Sequence, residues 1–299
     1  MLRQSLIRNL LILALSFLAF GISCGPKKVA IDPTKQSDSQ LYTMGQERMK
    51  KKDYPKAKEA FKAVFENFPK SDYRILAKLA YADAYYQEGG DSNWILAAQE
   101  YQDFISLFPF SPKAEYAQFQ IGMCYYKMME RPDRDQTNTH KAVVEFQKAI
   151  DSYPNGEHFD AARKKLIDCY DHLAKHEFGV ARYYWRTKRY QPSSDRIKGL
   201  LKSYPETVYQ PEYFYTLADS LHHLAQDSEA CVYYAKLKAR WPTADYHNNT
   251  TKYLDQHCEG APAAPPVANQ PQTEPQIQFQ PEPQTQPQSQ PETEPQSQP

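Results

Sequence analysis

LYTMGQERMKKKDYPKAKEAFKAVFENFP, residues 41–69, decides the architecture of the chain. Apolar residues recur at three- and four-residue intervals on both sides of a polar turn, the period of an amphipathic helix rather than the alternation of a strand. Phe68-Pro69 then closes the second helix, because proline cannot continue a helix and also restricts the residue before it. The same punctuation returns at Phe108-Pro109, Tyr153-Pro154, Tyr204-Pro205 and Trp241-Pro242, at intervals of 40, 45, 51 and 37 residues. Between Ser39 and Cys258 almost every segment carries the helical period.

The register inside each unit is more specific. Gly45, Ala57, Phe61 and Pro69 place a small residue on a first helix, a second small residue 12 positions on, a bulky one four later and proline eight after that, which is the tetratricopeptide (TPR) pattern. Ala181, Ser193, Ile197, Pro205 and Ala218, Ala230, Tyr234, Pro242 repeat it without a gap. Ala82, Ala97, Tyr101, Pro109 and Gly122, Ala142, Phe146, Pro154 repeat it with three and eight extra residues between the helices. These insertions, 88–91 and 131–136, fall in turns, where added length leaves the packing register untouched. The expectation is an all-α, TPR-type α-solenoid of five helix pairs (39–70, 74–112, 113–155, 157–207 and 210–244). A capping helix follows, within a body of 39–258. Residues Phe159 to Tyr190 read as one long helix or as two joined near Gly179.

Both ends differ from this body. Arg3 and Arg8 precede an apolar run, Leu10 to Phe20, and Gly21-Ile22-Ser23 lead to Cys24. The run is shorter than the roughly 20 residues of a permanent membrane helix, so 1–23 reads as a cleaved signal and Cys24 as a lipidated cysteine. The segment resembles a bacterial lipobox, with Gly21 where leucine is usual; the alternatives are a plain signal peptide or an uncleaved anchor with an incidental cysteine. Residues 24–38 form a tether, at most roughly 50 Å when extended. Residues 259–299 alternate Pro and Gln with a few Glu and hold no Lys or Arg, a composition expected to stay disordered. That tail is a spacer or a ligand for a partner or the cell wall, or is dispensable.

Thirty-six basic and 36 acidic side chains are spread along the chain, which argues against a nucleic-acid partner. No GxSxG, HExxH or P-loop is present, and no cofactor site is expected. His172 and His176 are four apart on one helix but lack a third metal ligand, and His222-His223 point in different directions, so surface or groove histidines are expected. The charged stretch Arg131 to Asp135 reads as a solvated turn or a site. Four cysteines remain beyond Cys24; Cys231 and Cys258 form a bridge tying the last helix to its neighbour, or remain buried thiols like Cys124 and Cys169. With 23 tyrosines available, Tyr81, Tyr85, Tyr86, Tyr125, Tyr126, Tyr183 and Tyr184 on the first helices are candidates for a peptide groove, or for packing between helices.

Leu79-Ala80-Tyr81-Ala82-Asp83-Ala84-Tyr85-Tyr86, Asp133-Arg134-Asp135 with His140-Lys141-Ala142, and the run from Leu173 to Tyr184 are more specific than TPR landmarks. Through them, residues Ser39 to Leu237 resemble the BamD (ComL) family of outer-membrane β-barrel assembly lipoproteins. The resemblance implies a non-catalytic periplasmic scaffold, lipid-anchored in the outer membrane, with BamA, other assembly-machine lipoproteins and unfolded outer-membrane protein clients as partners. It implies client binding around Phe68 and Tyr73, with Tyr81 and Tyr85 as groove candidates. It implies that Arg196 contacts the POTRA domain nearest the BamA barrel. A different reading of the same architecture is a periplasmic TPR lipoprotein that coordinates peptidoglycan assembly.

Overall fold

The structure, a computed structural model, describes residue 31 and residues 35–204, 210–243 and 246–258. Cys24, the signal, the Pro/Gln tail and the Pro205 landmark lie outside the described residues. Eleven helices occur among them: α1 Asp38–Lys50, α2 Tyr54–Asn67, α3 Arg74–Glu88, α4 Asp91–Leu107, α5 Ala114–Lys127, α6 Thr137–Ser152, α7 Phe159–Arg186, α8 Tyr190–Ser203, α9 Pro211–His223, α10 Asp227–Arg240 and α11 His247–His257. Each packs on its neighbours in the chain, giving five hairpins, α1/α2 to α9/α10, and a final helix on α10. This is the expected all-α solenoid.

The array opens on a capping box. Ser37 Oγ accepts from the Gln40 amide at 3.2 Å, and Gln40 Oε1 accepts from the Ser37 amide at 3.0 Å, so donors that the first turn leaves unpaired are satisfied from both directions. Within the hairpins, the small residues permit close crossing. A Cβ on Gly122 would lie 2.6 Å from the Phe146 ring, and Phe146 is fully buried. The first unit has Gly45 in the same place, and in the remaining three alanine suffices: Ala82, Ala181 and Ala218 are all buried, as are their bulky counterparts Tyr101, Ile197 and Tyr234.

The two edges of the array are built differently. On one, all five aromatic residues before proline adopt the same backbone conformation, with φ between −122° and −134° and ψ between 58° and 68°. Each still donates its amide to the carbonyl four residues back, at 2.9 to 3.1 Å, before the chain turns away. Proline imposes this directly, since its ring disfavours the helical region for the residue before it. On the other edge, the three ungapped units turn through a left-handed residue at one fixed place: Lys52 (φ 57°), Lys188 (φ 59°) and Ala225 (φ 57°). The next amide bonds back five residues, Asp53 to Arg48, Arg189 to Tyr184 and Gln226 to Leu221, each at 2.9 Å, completing Schellman motifs. The second unit uses Gly89 (φ 78°) and Gly90 (φ 86°) instead.

The α7 helix runs unbroken for 28 residues, so Gly179 is no joint. Ala162, Leu166, Cys169 and Leu173 form its buried face as the pattern requires, while Gly179 is exposed and a Cβ there would meet nothing within 4 Å. At the far end, Cys231 and Cys258 are bridged, with their Cα atoms 5.8 Å apart, and Tyr253 is buried in the last core cluster. Cys124 and Cys169 are buried free thiols.

Candidate interaction surface

Three zones carry the residues singled out in the sequence. In the first, Tyr42 lies between Phe61 and Tyr73, with ring centroids 5.7 and 5.1 Å away. One helix further on, Phe65, Tyr81 and Tyr85 form a second row, at 5.4 and 5.2 Å, and the two tyrosine hydroxyls are 3.2 Å apart. Phe68, Tyr73 and Tyr81 are all half-buried against one apolar cluster, whereas Tyr85 packs mainly on the next. Each phenol thus has a face in the interior and an edge outside. Burial pushes the Tyr81 hydroxyl well above the usual phenol range, reinforced by its bond to Tyr85.

Lysines flank this strip. Lys58 Nζ sits 4.0 Å from the Tyr85 ring centre and pairs with Glu88 at 2.5 Å. Lys78, buried on α3, pairs with Glu100 at 2.5 Å and lies 5.2 Å from the Phe65 ring. The motif extends along the array: Lys165 Nζ is 4.2 Å from the Tyr126 ring centre, and both groups bond Asp168, at 3.2 and 3.3 Å. A cation over a partly desolvated ring contributes on the order of 1–2 kcal/mol, enough to fix tyrosine rotamers before any ligand arrives. Sequence reasoning missed these lysines; their spacing from the tyrosines, 27 residues between Lys58 and Tyr85, follows from the hairpin geometry alone.

Asp83 holds a deeper position. It accepts from Tyr101 Oη at 2.5 Å and from Tyr116 Oη at 3.0 Å, joining α3, α4 and α5 at one oxygen. Burial raises its carboxyl above the ordinary range, while the two phenol bonds pull it back down. Asp219 occupies the matching place in the fifth unit and accepts from Trp185 Nε1 at 2.6 Å. Both read as structural pins between repeats.

The second zone is the turn after α5. The two α7 histidines reach across to it: a His172 ring nitrogen lies 2.6 Å from the Glu130 carbonyl, and His176 Nδ1 2.6 Å from the Pro132 carbonyl. They are therefore turn-holding groups, half-buried between repeats, rather than the surface or groove histidines expected from their spacing. Gln136 Nε2 bonds the Arg131 and Arg134 carbonyls at 3.0 and 3.1 Å, and Asn138 Nδ2 bonds the Met128 carbonyl at 3.0 Å. Arg131 and Asp133 pair at 2.9 Å while exposed. Among the described residues, no group of three or more His, Cys, Asp or Glu is arranged to hold a metal ion.

In the third zone Arg196 is exposed on α8 and already has a partner, with Nη1 2.6 Å from Oε2 of Glu177 on α7. Arg182 reaches Glu212 at 3.4 Å, and Tyr183 stands exposed nearby in the chain. Arg196 is in the fourth hairpin, whereas Phe68 closes the first and Tyr73 opens the second, so the residues expected to bind clients and the one expected to bind a partner occupy different parts of the array.

The chain is similar in sequence to known proteins. Residues 34–237 match the model of the family described as YfiO, outer membrane lipoprotein. The chain is 26% identical over 190 residues to the outer membrane protein assembly factor BamD of Caulobacter vibrioides, covering 64% of this chain and 61% of that one. It therefore spans less than two thirds of the length of that relative. It is 27% identical over 241 residues to the factor of the same name from Haemophilus influenzae, covering 76% of this chain and 89% of that one. For the counterpart from Rickettsia prowazekii the identity is 27% over 213 residues, covering 70% and 82%. Among solved structures, the TPR2AB domain of yeast Sti1 is 16% identical with a TM-score of 0.38, covering 73% of this chain and 88% of that one.

Proposed function

Because this chain belongs to the YfiO family of outer membrane lipoproteins, we propose that it is a non-catalytic scaffold of the outer-membrane β-barrel assembly machinery. The observation that carries this reading is the match across 34–237, which takes in all five hairpins except the end of the last, together with relatives named as assembly factors. In this reading Cys24 carries the lipid and holds the array at the periplasmic face of the outer membrane. The first two hairpins receive unfolded clients at the strip around Phe68, Tyr73, Tyr81 and Tyr85, and the last two dock on a POTRA domain of BamA.

Rows of half-buried aromatics held by lysines suit a receptor for many clients: the rings offer area at little entropic cost, and specificity stays low. Arg196 suits docking for another reason. A guanidinium already oriented by one carboxylate can take a second, with less side-chain freedom left to lose. Arg196→Glu places a like charge against Glu177 and removes the fork, so it should weaken co-purification with BamA at least tenfold while helicity is unchanged. Tagged full-length protein, solubilised with its membranes in detergent, tests the whole reading: BamA should be recovered. Recovery of peptidoglycan enzymes in place of BamA would support the cell-wall scaffold instead.

A further inference from the structure

The turn closing the second hairpin differs from its four counterparts in one respect. After aromatic and proline the other units carry Lys70, Asn155, Glu206 and Thr243, whereas this one carries Phe110. The ring is 99% exposed, and Leu107, just before the turn, is 56% exposed. The backbone beneath is fixed: the Ser111 amide bonds the Phe108 carbonyl at 3.0 Å, the Ala114 amide bonds the Ser111 carbonyl at 2.9 Å, and Ser111 Oγ accepts from the Lys113 amide at 3.2 Å. Pro109 and Pro112 flank the ring. A phenylalanine wholly in water on a rigid turn stabilises nothing in this fold, and its burial by a partner would be worth on the order of 2 kcal/mol.

Against Phe108, two residues earlier in the same turn, sits a guanidinium that lacks an anion. Arg74, at the start of α3, lies with Cζ 5.4 Å from the centre of the Phe108 ring. Its Nε is buried without a hydrogen-bond partner, and its side chain makes no ion pair or hydrogen bond among the described residues. Ile75 and Leu76 follow it in the chain, 38% and 41% exposed. An unpaired buried donor costs free energy until an acceptor reaches it, and for a cation the favoured acceptor is an anion.

We propose that the turn edge formed by Arg74, Leu107, Phe108 and Phe110 is a docking site for an extended polypeptide segment that presents a carboxylate next to bulky apolar side chains. Arg74 takes the carboxylate, and Phe110 with Leu107 takes the apolar groups. The charge selects the occupant: a basic or neutral apolar segment would leave the guanidinium unpaired. The inference deepens the client-binding reading and rests on it for the biological occupant, while adding residues and a ligand chemistry to it.

Fluorescence anisotropy on the full mature chain in detergent tests it, with a labelled linear peptide carrying one aspartate beside a phenylalanine and a leucine, and its twin with asparagine. The wild type should bind the aspartate peptide at least fivefold more tightly than its twin. Phe110→Ser, at an exposed position, should weaken both at least tenfold, and Arg74→Gln should equalise the two peptides. If Arg74→Gln loses helicity by circular dichroism, Arg74→Met, which keeps an aliphatic stem over the Phe108 ring without the charge, serves in its place and should narrow the preference to less than twofold. No saturable binding by the wild type, unchanged affinity in Phe110→Ser, or a preference that survives at position 74 would each overturn the proposal. Recovery of BamA is measured separately, so failure here and failure of the scaffold reading are distinguishable.

Discussion

Gly45 lies directly against the ring of Phe61: a Cβ added to the glycine would stand 2.5 Å from Cε1 and 2.7 Å from Cδ1 of a side chain that is fully buried. Phe61 has no empty space to swing into, so the helices must separate. Gly45→Ala should destabilise the first hairpin by about 1–3 kcal/mol, the usual cost of overpacking, and Gly122→Ala should do the same against Phe146. Gly179→Ala is the control. Its surroundings are open and its helix continuous, so it should stabilise by about 1 kcal/mol. Urea denaturation followed by circular dichroism checks all three, and a stabilising Gly45→Ala would refute the packing account.

Reduction of the Cys231–Cys258 bridge should loosen α11 before anything else. The bridge closes a loop spanning 27 residues, which corresponds to about 3–4 kcal/mol of loop-closure entropy in the chain-entropy model. In the reduced protein, amides of residues 248–257 should exchange at least tenfold faster, while those of α2 to α6 keep their protection. Uniform acceleration along the chain would show that the bridge supports the whole array.

The two free thiols should be inert in the native state. Burial pushes both Cys124 and Cys169 up to about 12, aided by the charge of Asp83 on the first and Asp168 on the second, and the thiolate is the reactive form. An aromatic disulfide reagent at pH 7.5 should titrate neither thiol in folded protein and both after denaturation in guanidinium without reductant. Rapid native labelling would mean that the third and fourth hairpins open readily.

Alkali should unfold the protein steeply. Burial raises the hydroxyls of Tyr101, Tyr116, Tyr234 and Tyr253, and lifts Tyr213 to about 12. In the unfolded chain the same groups titrate near pH 10. Folded values above unfolded ones mean that the unfolded state loses protons first; the stability these groups contribute is complete below about pH 10 and falls as pH rises through the folded values. Absorbance of tyrosinate and loss of helix should therefore appear together between about pH 10 and 12. A tyrosinate signal complete before any helix is lost would contradict it.

Ala225→Gly should stabilise the last hairpin by up to about 1 kcal/mol, because alanine pays to hold the left-handed conformation that glycine adopts freely. Thermal melts of the two forms check the sign.

What could be read in the sequence was whatever repeats. Small residue, bulky residue and proline recur at fixed spacing, so the five hairpins and their crossings were legible from Gly45, Phe61 and Pro69 and their counterparts. Contacts that depend on two distant segments meeting were not. His172 and His176 showed only a metal-like spacing, and nothing local indicated that the Glu130 and Pro132 carbonyls would face them. The Arg196–Glu177 pair joins α7 to α8 across a hairpin whose turn, at Lys188, has no glycine to mark its left-handed residue. The bridge stayed undecided because spacing does not reveal distance. Arg74 and Phe110 passed unnoticed, since solvent exposure of a phenylalanine is invisible in a helix-period count.

The shared backbone conformation of the five aromatic-proline junctions divides the array into a fixed side and an adjustable one. The turn insertions, 88–91 and 131–136, both lie across from those junctions. A fluorophore pair placed on the proline side would therefore report bending of the array itself, insensitive to loop length, and a reporter domain spliced between Gly89 and Gly90 should leave that reading unchanged.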